Sequence, residues 1–378
     1  EDIRITGAFK LGSNLKDNEW LINYQNLKRR IDWGATYYRN ALSSGAALTD
    51  NQGNVLAVYP AKLFTNLYQA NVSYPFDAAK SIRLTTGIRS DNLAVSSVDQ
   101  LSASLESQQT LYSVSHLEYV YDNSLNTAVN IWNGLRYKAF IDWNRQVSKV
   151  TFADGPNTFN FGFDARYYYP IYRNFIWAGR AAGDFSWGNQ KFIYYLGGVD
   201  GWLMFGNNIK NGSTRERYFN SANKPANDQA YAFQSLAVNM RGHIQNVANG
   251  NNAIVINSEL RLPVLSTFFD KTVNNAFLRD FQITQFIDLG TAWNGGYKNI
   301  KRPEIVYNTP IVLPNGDVVP GPVTVKVKAG GVGPFVGGYG FGARSTLLGY
   351  FVKYDVGWPM NGFFKGRPVM YLSLGLDF

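Results

Sequence analysis

Few residues of the chain have a type and spacing that suit catalysis or metal binding. There is no cysteine, and the two histidines, His116 and His243, are too far apart for a zinc-binding pair. His116 and Glu118 would share one face of a strand, which favours a polar pair over a ligand set but leaves both open. Nothing supports a Ser-His-Asp arrangement. We therefore predict no enzyme, no metal site and no cofactor.

The glycine-rich segment Gly337–Gly342 is similar to a phosphate-binding loop only superficially. No Lys-Ser or Lys-Thr pair follows it, and the segment begins a stretch with strand character. Glycines inside a strand often mark a bend or the close approach of another chain segment. We interpret these glycines in that way.

Composition restricts the fold. The 378 residues include 24 Tyr, 25 Phe and 9 Trp, and only 17 % are charged. No stretch approaches the roughly 18 apolar residues that a membrane helix needs, which excludes a helical membrane protein. A soluble all-β protein and a transmembrane β-barrel remain, because alternating strands hide their hydrophobicity from an average. The net charge of +9 is spread out, and no basic run exceeds Lys28-Arg29-Arg30, so we predict no nucleic-acid partner.

Apolar and polar residues alternate with a period of two along most of the chain, as in β-strands. Phe159 and Phe161 fall on one face, for example, and Asn160 and Asp164 on the other. A soluble sandwich would also alternate in this way. Segments such as 130–146 are longer than typical globular strands, however, and Tyr or Trp stands near several strand ends, as in an interfacial girdle. These features favour a transmembrane antiparallel β-barrel over a sandwich.

The pattern predicts fourteen strands, an even number that can close an antiparallel barrel. They lie near 2–11, 19–27, 31–42, 59–74, 79–90, 110–121, 129–146, 158–169, 173–186, 253–265, 277–293, 334–346, 349–359 and 369–378. Short connections alternate with long ones, and the long ones are predicted at 43–58, 91–109, 147–157, 187–252 and 294–332. Tight turns at one rim and long loops at the other are typical of outer-membrane barrels.

The last strand has a further feature. Leu372, Leu374, Leu376 and Phe378 share one face, and the chain ends on that phenylalanine. An amphipathic final strand that ends in Phe matches the signal that marks bacterial barrels for insertion. We therefore predict that Phe378 is an insertion signal.

Four motifs occur in a particular order. They are Gly197-Gly198 with Met240-Arg241-Gly242-His243; Asn257-Ser258-Glu259-Leu260-Arg261-Leu262-Pro263; Phe286-Ile287-Asp288-Leu289-Gly290-Thr291-Ala292-Trp293; and Gly340-x-Gly342-x-Arg344 with Asp355-Val356-Gly357-Trp358-Pro359. Together they resemble the BamA/TamA surface-antigen superfamily, whose sixteen-stranded barrels insert or translocate proteins at bacterial outer membranes. The resemblance covers about the last half of the chain.

The resemblance implies a role for a loop residue. In that family an Arg-Gly-aromatic tip of the sixth extracellular loop folds back into the lumen, where acidic residues of strands twelve and thirteen hold the arginine. Arg241 and Gly242 would form this tip, with Glu259 and Asp288 as the partners. His243 departs from the aromatic residue that is usual there. The resemblance also assigns a set of barrel-motif residues: Gly290, Gly340, Gly342, Arg344 and Asp355.

Residues 24–34 are similar to Bacteroidota members that carry a periplasmic TolB-like β-propeller. We expect residues 1–378 to form one barrel domain without a periplasmic N-terminal domain, and the strand shortfall suggests that the natural protein extends upstream. The implied location is the bacterial outer membrane. The implied partners are outer-membrane lipid, lipopolysaccharide, and client or partner envelope proteins.

The sequence leaves three functions open. The favoured one is a protein-insertion or translocation barrel, in which the edge between first and last strands pairs with incoming strands. The alternatives are a passive porin or solute channel and a membrane anchor for a periplasmic propeller or partner complex. An open lumen would indicate the channel, and a loop held inside the barrel would favour the first function.

Overall fold

The computed structural model describes residues 2–10, 18–49, 55–96, 99–100, 107–127, 130–147, 155–205, 217–226, 231–234, 238–269, 274–308, 311–312, 318–319 and 321–375. The chain divides into two compact units. The first contains residues 1–121, 139–160 and 188–190, and the second contains residues 122–138, 161–187 and 191–378. Antiparallel β-sheet dominates both units, so the predicted all-β class is confirmed.

The strands of the first unit pair antiparallel in chain order, each with the next. They are β1 (Ile3–Lys10), β2 (Glu19–Asn26), β3 (Asp32–Thr49), β4 (Val55–Pro75), β5 (Lys80–Val95) and β6 (Gln108–Asp122). β7 (Leu125–Thr127), β8 (Asn130–Val147) and β9 (Asn157–Tyr172) follow. The division between the units runs through β8 and β9.

The second unit contains long sheet strands and shorter strands in the connections between them. They are β10 (Phe175–Gly188), β11 (Lys191–Leu196), β12 (Tyr231–Gln234), β13 (Ala248–Gly250), β14 (Asn252–Pro263), β15 (Gln282–Trp293), β16 (Glu304–Asn308), β17 (Ile311–Val312), β18 (Val318–Val319), β19 (Thr324–Lys328), β20 (Gly331–Val332), β21 (Phe335–Leu347), β22 (Tyr350–Pro359) and β23 (Val369–Leu374). The sheet order is β10-β14-β15-β21-β22-β23, and each neighbouring pair is antiparallel. Two short helices, α1 (Val264–Phe268) and α2 (Ala276–Arg279), connect β14 to β15.

Burial in the second unit alternates along the strands. On β14, Asn257 and Glu259 are buried while Ile256 is 51 % exposed. On β15, Asp288 is buried while Ile287 is 42 % exposed. Because successive side chains of a strand point to opposite faces, this sheet has a polar buried face and an apolar exposed face.

An apolar cluster covers part of the buried face. It joins the connection between β10 and β14, through Leu196, Met240 and Val247, to sheet residues such as Val255 and Val336. The long connection therefore packs against the sheet of its own unit. Among the described residues, no helix is long and apolar enough to cross a membrane.

All fourteen predicted strands are present, with some corrections to their bounds. The prediction of a long connection at 43–58 was wrong, because β3 and β4 continue through most of it as paired strands. β15 begins at Gln282 rather than near 277, because the Asn275 side chain accepts a hydrogen bond from Leu278 N and caps α2. Phe378 lies outside the described residues.

Candidate functional site

Arg241 is buried against the sheet of the second unit. Its Nε donates to Asp288 Oδ2 at 2.8 Å, and its Nη2 donates to Asp288 Oδ1 at 2.9 Å. The backbone N–H of Arg241 also donates to Asp288 Oδ2 at 2.9 Å. A bidentate arginine–carboxylate pair is directional as well as strong. Asp288 therefore fixes both the side chain and the backbone of Arg241.

Glu259 is fully buried and accepts hydrogen bonds from three arginines. Arg241 Nη1 lies 2.5 Å from Oε1, Arg344 Nη2 lies 2.7 Å from the same oxygen, and Arg261 Nε lies 2.7 Å from Oε2. An isolated buried carboxylate would be very unfavourable. The three guanidinium groups compensate its charge. Through Arg241, they also join the segment between β10 and β14 to the strands β14 and β21.

Sheet register explains why these side chains meet. Asn257 on β14 pairs with Asp288 on β15, and Gly342 on β21 pairs with Asp355 on β22. Residues directly opposite each other in a sheet carry their side chains on the same face. The four neighbouring strands therefore present their polar positions in one row beneath Arg241.

Asp355 and Lys353 complete the group from β22. Asp355 Oδ2 lies 3.5 Å from Arg241 Nη1 and 4.0 Å from Arg344 Nη2, beyond close hydrogen-bond distance. We call the whole set the charge cluster: Arg241, Glu259, Arg261, Asp288, Arg344, Lys353 and Asp355, all buried. The free space among them is a cavity of about 20 Å³. Side chains nearly fill the site, so the cluster is suited to holding chain segments together rather than to binding a substrate.

An aromatic ring supports the same arginine. The guanidinium carbon of Arg241 lies 3.7 Å from the centre of the Phe286 ring. Phe286 shares the buried face with Asp288 and is itself fully buried. A cation above a ring in a desolvated place gains electrostatic attraction. Phe286 therefore closes the side of Arg241 that carboxylates leave open.

Glycines of β21 make room for the loop tip, which we define as Met240–His243. A Cβ atom at Gly338 would overlap the Arg241 carbonyl oxygen, and one at Gly342 would overlap Asp355 Oδ1. Gly242 has a φ of +89°, which side-chain-bearing residues rarely adopt. Gly338 thus lets the loop tip press against the backbone of the sheet, and Gly342 leaves room for the Asp355 side chain.

His243 is buried in the loop tip. Its Nε2 lies 2.9 Å from the carbonyl oxygen of Gly337, and its own carbonyl accepts a hydrogen bond from Tyr371 Oη at 2.7 Å. Trp202 packs on the Tyr371 ring, with centroids 4.8 Å apart. Burial lowers the pKa of His243 from 6.5 to about 4. A neutral imidazole therefore occupies the position where the resemblance leads us to expect an aromatic ring.

Stability should depend on pH through His243. The pKa of His243 is lower in the folded state than in the unfolded state, so the unfolded state takes up a proton first as the pH falls. The contribution of the neutral ring to stability is therefore complete above pH 6.5 and is lost as the pH falls from 6.5 towards about 4. The loss is at most about 3 kcal/mol. We expect the melting temperature of His243→Phe in detergent to fall less than that of the unsubstituted protein between pH 7.5 and 4.5. Equal pH dependence of the two proteins would contradict the assignment.

The remaining motif residues lie in two places. Gly340 and Arg344 lie along the buried face of β21, beside the loop tip and the cluster. Gly290 lies instead under the apolar cluster, where a Cβ would come 3.0 Å from Leu196 Cδ1. The motifs did not include Lys353 or Tyr371, and Phe286 began one of them without being assigned a role. The parity of Lys353 with Asp355 was the signal available for one of them.

A second polar group lies in the first unit. His116 Nδ1 is 2.6 Å from Asp142 Oδ1, and His116 Nε2 is 3.5 Å from Glu118 Oε2. Arg83 pairs with Glu118 at 3.2 Å, and Asn160 donates to Asp142 at 3.0 Å. Within the described ranges, no group of three or more His, Cys, Asp or Glu residues is placed to hold a metal ion. The geometry is that of a polar network along neighbouring strands.

No family model matches the sequence, and no curated protein matches it. The fold, however, is similar to solved structures. Against the crystal structure of BamA from Haemophilus ducreyi lacking POTRA domains 1–3, the TM-score is 0.52 at 13 % identity, over 95 % of this chain and 61 % of that one. The chain thus spans about three fifths of the BamA chain. This similarity shows the fold, an antiparallel β-barrel of the BamA type.

Two further solved structures align over most of the chain. CdiB from Escherichia coli gives a TM-score of 0.46 at 10 % identity, over 98 % of this chain and 55 % of that one. CdiB from Acinetobacter baumannii gives 0.43 at 11 % identity, over 94 % and 49 %. Both scores are low, and the assignment of the fold depends on the BamA comparison.

Proposed function

We propose that the chain is the barrel part of an outer-membrane protein that inserts or translocates polypeptides, a member of the BamA/TamA surface-antigen superfamily. The loop tip would lie inside the barrel lumen, held by the charge cluster. The observation that carries the proposal is the burial of Arg241 between Glu259 and Asp288. The BamA-type fold supports it.

The contacts of the connection between β10 and β14 support a held loop. Beyond the apolar cluster, Leu203 N donates to Leu372 O at 2.7 Å, and Trp202 bridges to Ser373 on β23. Gly198 and Met240 pair within the connection and bring its two arms together. The connection therefore touches both the middle and the last strand of its sheet.

The chemistry of the cluster suits such a role. Ordering a long connection loses conformational entropy, so it needs a few strong contacts of defined direction. Arginine is well suited because its planar group binds carboxylates bidentately and does not lose its charge. If Arg241 moved away, Glu259 and Asp288 would remain buried with less compensation of their charge, which is unfavourable. The loop tip is therefore favoured in this one position. The loop would then be held while other parts of the barrel move.

Location and partners follow from the proposal. The chain would lie in the bacterial outer membrane, in contact with lipid and lipopolysaccharide, and would act on client or partner envelope proteins. Residues 1–378 would form the barrel domain, and a periplasmic domain would belong to the rest of the natural protein. A propeller of the Bacteroidota kind is the form of that domain suggested by residues 24–34.

Substituting Arg241 tests the proposal. Arg241→Ala should leave the barrel inserted in the outer membrane but lower its activity strongly, measured as the levels of other outer-membrane proteins after depletion of the native copy. Arg217→Ala is the matched control, because Arg217 lies in the same connection but is exposed. Undiminished activity of Arg241→Ala would overturn the proposed role of the loop. An unchanged outer-membrane proteome on depletion would indicate an anchor instead.

Single-channel recording addresses the solute-channel alternative. A passive channel needs an open lumen, whereas the proposal has the connection occupying it. The unsubstituted protein in planar bilayers should give small, unstable conductance, and Arg241→Ala should give larger openings. A large, steady conductance of the unsubstituted protein would favour the passive channel.

A further inference from the structure

A group of cations lies at the short-turn end of the first unit. Lys28, Arg29 and Arg30 occupy the turn between β2 and β3, and all three are exposed. Among the described residues, none of the three forms an ion pair with a carboxylate. The Lys28 backbone N–H donates to Asn26 Oδ1 at 3.2 Å, which shapes the turn. The turn therefore presents three adjacent positive charges outward.

Acidic residues near the turn are directed elsewhere. Asp77, in the turn between β4 and β5, pairs with Lys80 at 3.3 Å. Asp32 lies between the exposed residues Ile31 and Trp33, and side chains alternate along a strand, so Asp32 belongs to the opposite face. Asp2 lies opposite Leu27, whose N–H donates to the Asp2 carbonyl at 2.8 Å, but among the described residues its carboxylate forms no ion pair with the three cations.

Arg30 is held in position by the neighbouring turn. Its guanidinium carbon lies 4.9 Å from the centre of the Tyr74 ring, and its Nη2 lies 3.5 Å from the carbonyl oxygen of Phe76. These contacts use part of the guanidinium and leave the rest facing outward. A cation that is already ordered loses less entropy when it binds an anion.

Aromatic rings lie beside the basic turn, and one of them, Tyr74, lies under Arg30. Phe76 is 50 % exposed and packs edge-on against Tyr74, with ring centroids 5.2 Å apart. Trp33, also 50 % exposed, lies 5.6 Å from Tyr24 between ring centroids. The exposed apolar residues of this face continue from the rings along the strands, as Ile82 does on β5.

We propose that this surface, which we call the turn patch (Lys28, Arg29, Arg30, Tyr74 and Phe76), binds the phosphate headgroup of an anionic phospholipid. The inference rests on the proposed membrane location. Aromatic side chains settle at headgroup level, and arginine and lysine reach from there to lipid phosphates. Basic residues at a membrane surface attract anionic lipids. An acidic protein partner could pair with the three cations, but its binding would not explain the exposed aromatic rings beside them.

Lipid selectivity measured by spin-label electron paramagnetic resonance tests the proposal. The full chain is reconstituted in phosphatidylcholine vesicles, and the association of spin-labelled phosphatidylglycerol is compared with that of spin-labelled phosphatidylcholine. We expect about threefold preference for phosphatidylglycerol. The combined variant Lys28→Gln, Arg29→Gln and Arg30→Gln should lose it. Arg29→Gln alone, which alters no contact of Arg30, should lose part of it.

A matched control removes three exposed lysines elsewhere, with Lys298→Gln, Lys301→Gln and Lys365→Gln combined. This control should keep the preference. An inserted protein without the preference, or a preference that survives in the triple turn variant, would overturn the turn patch as a lipid site. Insertion is checked in the same vesicles by protease protection of the strands. A chain that fails to insert would overturn the proposed membrane function itself, which separates the two failures.

Discussion

Glu259→Ala is expected to destabilise the protein by about 3–5 kcal/mol, among the largest effects of any single substitution. The reason is that Arg241, Arg261 and Arg344 would then lie close together without the carboxylate that they share. Uncompensated buried cations are far more costly than the loss of one hydrogen bond. The measurement is the melting temperature in detergent by circular dichroism, with the heat-shifted gel band as a check on folding.

Glu304→Ala is the control for this substitution, since Glu304 is an exposed carboxylate on β16. It should leave the melting temperature nearly unchanged. Glu259→Gln should fall between the two, because the amide oxygen keeps one acceptor but not the charge. Equal melting temperatures for Glu259→Ala and Glu304→Ala would show that the cluster adds no stability.

Gly338→Ala is expected to displace the loop tip although it adds only one methyl group. The new Cβ would overlap the carbonyl oxygen of Arg241, which is backbone and cannot rotate away. Overpacking of this kind costs about 1–3 kcal/mol. Since Gly338 lies opposite Asp288 in the sheet, the displacement acts directly on the arginine–carboxylate pair. Activity should fall as it does in Arg241→Ala.

Limited proteolysis measures that displacement. The connection between β10 and β14 should be cleaved faster in Gly338→Ala than in the unsubstituted protein. Gly296→Ala is the control, because a Cβ there meets nothing within 4 Å. Identical cleavage rates in the two glycine variants would mean that Gly338 does not seat the loop tip.

Much of the fold could be predicted because its signal is local. Alternation with a period of two is visible within single strands, and it located all fourteen long strands to within a few residues at most ends. Parity also put Glu259 and Asp288 on the polar faces of their strands. Strand lengths at the predicted connection 43–58 were missed, since small and polar residues such as Ser43 and Gly45 weaken the alternation there.

The details of the site depend on contacts that no local pattern records. Phe286 is apolar yet shares a face with Asp288, and only the position of Arg241 explains why. Trp202 meets Ser373 across almost half of the chain. Such contacts follow from the register of strands that are distant in sequence. The motif resemblance could name Arg241, Arg344 and the carboxylates, but it assigned no role to Phe286 or Arg261 and did not include Lys353.

The central claim is that the connection is held on the sheet by the charge cluster, and disulfide crosslinking tests it most directly. The native chain has no cysteine, so the pair Trp202→Cys and Ser373→Cys can form only one intramolecular disulfide. The two positions are paired by an antiparallel β-bridge. Ser81→Cys with Val120→Cys, a cross-strand pair of β5 and β6, serves as the control. We predict that both pairs crosslink in outer membranes and that adding Arg241→Ala lowers only the yield of the first. A first pair that never crosslinks, or one that is indifferent to Arg241→Ala, would contradict the account.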